Sequence, residues 1–146
     1  MSITPVHATT GTDRRPGHIL SGDGLVFRLA DEARDLDSDL SRASGGRSAK
    51  TLAKADGLRV TLVVLDSGMT LEPEAAAGGA TIQLLQGRLS LQCDGEQLNL
   101  TPGDLVVLSH NLREPVRAID RSAFLITVAW PVGAGAWQQE ATAGHL

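Results

Sequence analysis

The chain has 146 residues, a net charge of −4 at pH 7 and 42% hydrophobic residues, which predicts one domain with a sizeable core. The negative charge argues against a nucleic-acid surface, which requires clustered Lys and Arg. A single cysteine, Cys93, excludes an intramolecular disulfide and a multi-cysteine zinc site. No apolar run approaches the roughly 20 residues that span a bilayer. The first 18 residues also lack the apolar stretch of a secretory signal, so we expect a soluble, cytoplasmic protein.

The first elements are predicted from short apolar patterns. Apolar residues alternate over 25–29, which predicts a short strand. Asp31 is expected to cap the helix that follows, in which Leu36 and Leu40 lie four residues apart on one face. The Ser-Gly-Gly at 44–46 is expected to end this region.

From Lys50 onward the apolar pattern changes to a period of two, which is typical of strands. Residues 58–65 are apolar on one face and partly apolar on the other, as in a strand that is buried on both sides. Asp94-Gly95 predicts a tight hairpin, because both residues tolerate the positive φ angles of a type I′ turn. Further strands are predicted over 80–86, 89–93, 98–100, 105–108, 116–119 and 123–130. About seven or eight short strands indicate a sandwich or a barrel, and the pattern leaves an immunoglobulin-like sandwich and a jelly roll open.

Five segments between residues 45 and 131 carry a family resemblance: GGRSAKTLAK, LRVTLVVLDSG, TIQLLQGRL, LTPGDLVVL and VRAIDRSAFLITVAWP. They resemble the cupin superfamily, and in particular a group of small bacterial cupins. The resemblance implies an all-β, cupin-type double-stranded β-helix, a jelly-roll barrel, with a short N-terminal helix. It divides the chain into an N-terminal arm (1–24), a single cupin domain (25–131, barrel core about 45–131) and a C-terminal tail (132–146).

The resemblance breaks at the positions where cupins place their metal ligands. A cupin normally has two His and a Glu in its first motif and a His in its second. The matching positions here are Glu74, Ala76, Ala80 and Glu114. Alanine cannot bind a metal, and two carboxylates alone make a poor site for iron, nickel or zinc. We therefore expect no metal site and no cofactor.

The same resemblance places Glu74 and Glu114 inside a cavity lined by Ile82, Leu84 and Val116. Two carboxyl groups held close in an apolar site cannot both ionise cheaply, so the pKa of one is expected to rise. An acid beside a base suits isomerase, cyclase or dehydratase chemistry. The alternatives are that the two side chains are solvated at the barrel mouth, or paired with a nearby Arg or Lys.

Arg47 and Lys50 belong to a basic run that extends from Arg42 to Arg59. This run is a candidate for holding an anionic ligand at the barrel mouth, because Arg pairs with carboxylate or phosphate in a bidentate manner. A solvated face or a dimer rim is the other interpretation. We interpret His110 as a surface-turn residue and Cys93 as a small core residue.

These observations predict a metal-independent, small-molecule-binding cupin with a carboxylate pair for acid–base chemistry, and leave open whether it is an enzyme. The alternative is a non-catalytic ligand sensor or accessory binding protein. A metal-dependent enzyme is the third hypothesis and lacks ligands in the sequence. The expected partners are a small-molecule ligand and a second copy of the chain, since the resemblance implies dimers with exchanged arms. No nucleic acid or membrane partner is expected.

Overall fold

The computed structural model describes residues 24–42, 45–72, 78–110 and 112–129. Almost all of the predicted arm and the whole predicted tail lie outside these ranges. The described elements are α1 (Leu29–Arg42), β1 (Arg47–Ala55), β2 (Leu58–Leu65), β3 (Thr70–Leu71), β4 (Ala80–Gln86), β5 (Leu89–Cys93), β6 (Glu96–Leu100), β7 (Leu105–Leu108), β8 (Val116–Ala118) and β9 (Ser122–Ala129). None of the helices in these ranges is long and apolar enough to cross a membrane.

The strands form two antiparallel sheets that face each other. The five-stranded sheet has the order β1-β2-β9-β4-β7, and the four-stranded sheet has the order β3-β8-β5-β6. β9 is the last described strand in sequence but the central strand of the larger sheet, where it pairs with β2 from Leu58↔Ala129 to Leu65↔Ser122. The chain therefore crosses repeatedly from one sheet to the other, as in a jelly roll.

The main core fills the space between the two sheets. Alternate residues of each strand point inward, so that Val63, Phe124 and Leu84 lie side by side in register across β2, β9 and β4. Each is 2% exposed or less, and Leu89 and Leu91 meet them from the opposite sheet. Burying one such side chain stabilises the fold by about 1.5–3 kcal/mol, so an aliphatic interior suffices for a chain with few aromatic residues.

A second core lies on the outer face of the larger sheet, beneath α1. The helix presents Ala33, Leu36 and Leu40 to Leu62 and Val64 of β2. These two β2 residues alternate with inward-facing Val63 and Leu65, so β2 is buried on both faces. The prediction of a strand that is apolar on both faces is confirmed, and the helix is the reason for it.

Two local expectations at the start of the domain were wrong. The helix begins at Leu29, so the predicted strand over 25–29 is reduced to an isolated bridge at Phe27. Asp31 consequently lies within the first turn of the helix rather than at its cap. An acidic residue in the first turn still interacts favourably with the helix dipole.

Two tight turns fix the register of the neighbouring strands. Asp94 and Gly95 have φ angles of 54° and 78°, which confirms the predicted hairpin with two positive φ angles. Gly87 has a φ of 88° and packs directly against Arg121 and Ser122. An added Cβ would overlap the Arg121 carbonyl oxygen and the Ser122 hydroxyl. Only glycine fits at position 87 without a shift of the backbone.

Candidate functional site

One end of the barrel, which we call the Ala80 end, contains the candidate site. β2 and β4 begin at this end and β7 and β9 finish there, since Leu58 pairs with Ala129 and Ala80 pairs with both Leu108 and Val128. Two cavities open here, one on the inner face of the larger sheet and one at the hairpin between β5 and β6.

The first cavity, which we call the barrel cavity, has a volume of about 220 Å³. Three strands of the larger sheet supply its floor, and Leu71 of β3 contributes from the opposite sheet. The strand positions alternate, so each strand contributes every second residue. Its described lining residues are Ala49, Thr51, Arg59, Thr61, Val63, Leu71, Ile126 and Val128.

The strand register divides the barrel cavity into a polar side and an apolar side. Thr51 lies directly opposite Thr61, and Thr61 lies opposite Ile126 on its other flank. Two residues closer to the Ala80 end, Arg59 of β2 lies opposite Val128 of β9. Hydroxyl groups and a half-buried guanidinium on β1 and β2 therefore face a branched aliphatic surface on β9.

The second cavity, which we call the hairpin cavity, has a volume of about 380 Å³ and lies between the β5–β6 hairpin and the crossover from β7 to β8. Half-buried Cys93 lies in its wall, with its thiol 4.0 Å from the Asp94 carboxylate. His110 is half-buried in the crossover. The other described lining residues are Gln92, Gly95, Leu108, Leu112, Arg113 and Glu114. Sequence reasoning treated Cys93 and His110 separately; the shared cavity depends on how the hairpin and the crossover meet.

The predicted carboxylate pair is only half described. Glu114 is exposed and lines the hairpin cavity, whereas Glu74 lies outside the described residues. Ile82, Leu84 and Val116, the predicted cavity wall, are each 0% exposed and belong to the main core. They are packed by their neighbours and line neither of the two cavities.

The two predicted ligand-binding cations do not meet at the Ala80 end. Lys50 points to the outer face of the sheet, where its Nζ lies 3.0 Å from Oε1 of Glu32 on α1. Only 9% of the Lys50 side chain and 1% of the Glu32 side chain are exposed. Arg47 is exposed and lies opposite Leu65, at the other end of the barrel. Of the basic run, Arg59 is the residue that faces the barrel cavity.

The described residues do not fit the metal centre that the cupin motif would supply. Ala80 is 4% exposed and offers a methyl group where the motif has a ligand. Within the described ranges, no group of three or more His, Cys, Asp or Glu is arranged to hold a metal ion. Glu74 and Ala76 are outside those ranges. The donor set thus does not match the imidazole-rich ligands that iron, nickel or zinc prefers.

Two facing antiparallel sheets with a cavity at one end define a jelly-roll barrel, and solved structures identify its type. A cupin superfamily protein from Desulfitobacterium hafniense DCB-2 is similar, with a TM-score of 0.54 and 19% identity, over 60% of this chain and 81% of that one. KdgF from Halomonas sp. gives a TM-score of 0.52 and 24% identity, over 60% and 82%. The cupin domain of an XRE-family transcriptional regulator from Enterobacter cloacae gives 0.51 and 19%, over 59% and 98%. No family model and no curated protein matches the sequence. The chain has the cupin fold, as the sequence resemblance implied.

Proposed function

We propose that this protein is a small-molecule-binding cupin that holds its ligand in the barrel cavity and acts as a non-catalytic sensor or accessory binding protein. The observation that supports this most is the composition of the cavity wall. It joins one half-buried guanidinium and two hydroxyls to an aliphatic surface. Ligand sites are commonly concave and mainly apolar, with a few polar groups that fix orientation.

The exposure of Glu114 favours binding over catalysis. Acid–base chemistry by a carboxylate pair depends on two carboxyl groups that are desolvated and close together. Glu114 is exposed and lines the hairpin cavity, not the barrel cavity. A similar fold that forms a domain of a transcriptional regulator is consistent with binding without turnover.

Isomerase, cyclase or dehydratase chemistry by Glu74 and Glu114 is the second candidate. Its support is that Glu114 and His110 share the hairpin cavity, so a carboxylate and an imidazole border the same space. Neither candidate involves a metal or another cofactor.

A cavity-filling pair of variants tests the proposal. Thr61→Met places a longer side chain in the barrel cavity, whereas Thr127→Met changes the same residue type on the outer face of β9, where Thr127 lies opposite Thr81. Binding of a metabolite library is followed in amide NMR spectra of the full chain. We expect the library to contain ligands that shift the Thr51 and Ile126 resonances of the wild type and of the Thr127→Met variant. The same ligands should leave these resonances unchanged in the Thr61→Met variant. If E114Q removes binding while Thr61→Met retains it, the site is the hairpin cavity and the proposal is wrong.

The protein is also proposed to form a homodimer in the cytoplasm. Leu105 and Val107 on the edge strand β7 are 57% and 72% exposed, and a second copy would remove this apolar surface from water. Light scattering is expected to report a dimer for the wild type and a monomer for V107E. A monomeric wild type at micromolar concentration would contradict the dimer, and cell fractionation tests the location.

A further inference from the structure

We infer that the ligand of the barrel cavity is a small organic monocarboxylate, held by Arg59, Thr51 and Thr61 at its charged end and by Ile126 and Val128 at its apolar end. This inference rests on the proposed function, because it names the chemical class of the molecule that the same cavity binds. Each part of the assignment follows from the position of a lining residue.

The charged end of the ligand is assigned from Arg59. Its side chain is half-buried and its Nε atom is fully buried in the cavity wall. A guanidinium stays charged at all physiological pH values. It presents five N–H donors, and a single partner within the protein cannot use all five. A carboxylate matches two of these donors in a bidentate manner. Arg59 is the one charged residue among the described lining residues, and the others are Thr, Ala, Val, Leu and Ile, so a singly charged group costs less desolvation here than a phosphate dianion.

The hydroxyl groups extend the polar side of the site. Thr51 and Thr61 are directly opposite in the β1–β2 register, which brings their Cβ atoms to about 5 Å from each other. Thr61 is two residues from Arg59 on the same strand and face, a separation of about 7 Å. A small molecule can therefore contact the guanidinium and a hydroxyl at the same time. A hydroxyl donates to a carboxylate oxygen or accepts from a hydroxyl of the ligand.

The apolar side and the volume limit the rest of the ligand. Ile126 and Val128 offer branched aliphatic surface on β9, Val63 adds to it from β2, and Leu71 covers the cavity from the other sheet. A volume of about 220 Å³ corresponds to about seven water molecules at their share of liquid volume. A short, branched or hydroxylated carboxylic acid fits this space.

The test compares isovalerate with isovaleramide and isoamylamine, which share its branched carbon skeleton but are neutral and cationic. Affinity and location are measured from amide NMR shifts of the full-length protein. We expect isovalerate to shift Thr51, Thr61 and Ile126 resonances and the other two compounds to bind at least about tenfold more weakly. R59Q should lower the affinity for isovalerate by roughly tenfold or more, and R59K should lower it by less. R47Q, which removes an exposed arginine at the other barrel end, should leave the affinity unchanged.

The outcomes separate the ligand class from the proposed function. If isovaleramide binds at the barrel cavity as tightly as isovalerate, the carboxylate assignment is wrong while binding in the cavity stands. The carboxylate assignment is also wrong if no member of a panel of aliphatic, hydroxy and aromatic monocarboxylates binds but other small compounds bind in the barrel cavity. If no compound shifts the barrel-cavity resonances, the proposed function and this inference both fail. The amide comparison uses the wild-type protein, so it remains decisive even if R59Q does not fold.

Discussion

The ion pair between Lys50 and Glu32 gives the sharpest prediction about stability. The two side chains connect β1 to α1 on the outer face of the larger sheet and are almost entirely removed from water. K50M leaves the Glu32 carboxylate buried without this counterion, and E32M removes the carboxylate that faces the buried Lys50 ammonium. We therefore expect K50M and E32M each to lower the free energy of unfolding by about 3–5 kcal/mol.

The double variant is expected to behave differently. At 3.0 Å and an effective dielectric constant of about 20, the attraction between the charges is about 5.5 kcal/mol. Desolvation costs several kcal/mol for each ion, which offsets most of that attraction. In addition, Oε2 of Glu32 is buried with no hydrogen-bond partner among the described residues. Replacing both groups by methionine removes all of these terms together, so K50M combined with E32M should be about as stable as the wild type.

Urea unfolding of the wild type, the two single variants and the double variant measures this coupling as a double-mutant cycle. The pair between Arg34 and Asp31 is a matched control, because it has the same 3.0 Å separation on the same helix but its side chains are 70% and 52% exposed. R34M should cost less than about 1 kcal/mol. If the K50M and E32M variants cost no more than R34M, the helix does not bury this pair against the sheet in solution, and the reasoning is refuted.

The remaining predictions concern the opposite end of the barrel. G87A should lower the free energy of unfolding by at least about 2 kcal/mol, because the added methyl group overlaps Arg121 and Ser122 and alanine adopts the positive φ angle poorly. A thermal or urea melt measures this change, and an unchanged unfolding midpoint would contradict this packing. The hydrogen bond and charge of Arg88 lower the pKa of Asp120 in the folded protein. Stability from this carboxylate is therefore present above the unfolded-state pKa of about 3.9 and is lost as pH falls through the lower folded-state pKa. The stability difference between the wild type and D120N should vanish at strongly acidic pH, and a difference that grows on acidification would show the opposite sign of shift.

Local sequence signals were sufficient for most strands, whereas the choice of a jelly roll over an immunoglobulin-like sandwich came from the family resemblance. Asp94-Gly95 specified a hairpin because Asp and Gly are among the few residues that tolerate the two positive φ angles of a type I′ turn. The two-sided apolar pattern of β2 specified burial on both faces. Such features depend on neighbours in the chain or on composition alone, which is why they can be predicted without a structure.

The site was harder to predict, because it depends on which face of a strand points inward. β1 has small and polar residues on both faces, and its pairing with β2 shifts register between Thr51 and Ala53. Leu52, two residues from Lys50 and 1% exposed beneath α1, was the one apolar signal that assigned Lys50 to the helix side. Arg59 could have been found by a different signal: it shares the alternation of Val63 in a strand that is apolar on both faces, where an arginine is unexpected.

The central position of β9 has a consequence for the order of folding. β9 separates the β1–β2 hairpin from β4 and β7, and its pair Leu58↔Ala129 joins residues that are 129 − 58 = 71 positions apart in sequence. Contacts over such distances form late, since closing a long loop costs entropy before any packing is gained. During synthesis, the two halves of the larger sheet cannot join until Ser122–Ala129 has left the ribosome. The barrel cavity, whose apolar side comes from Ile126 and Val128 of β9, is therefore completed by the last described strand to be made.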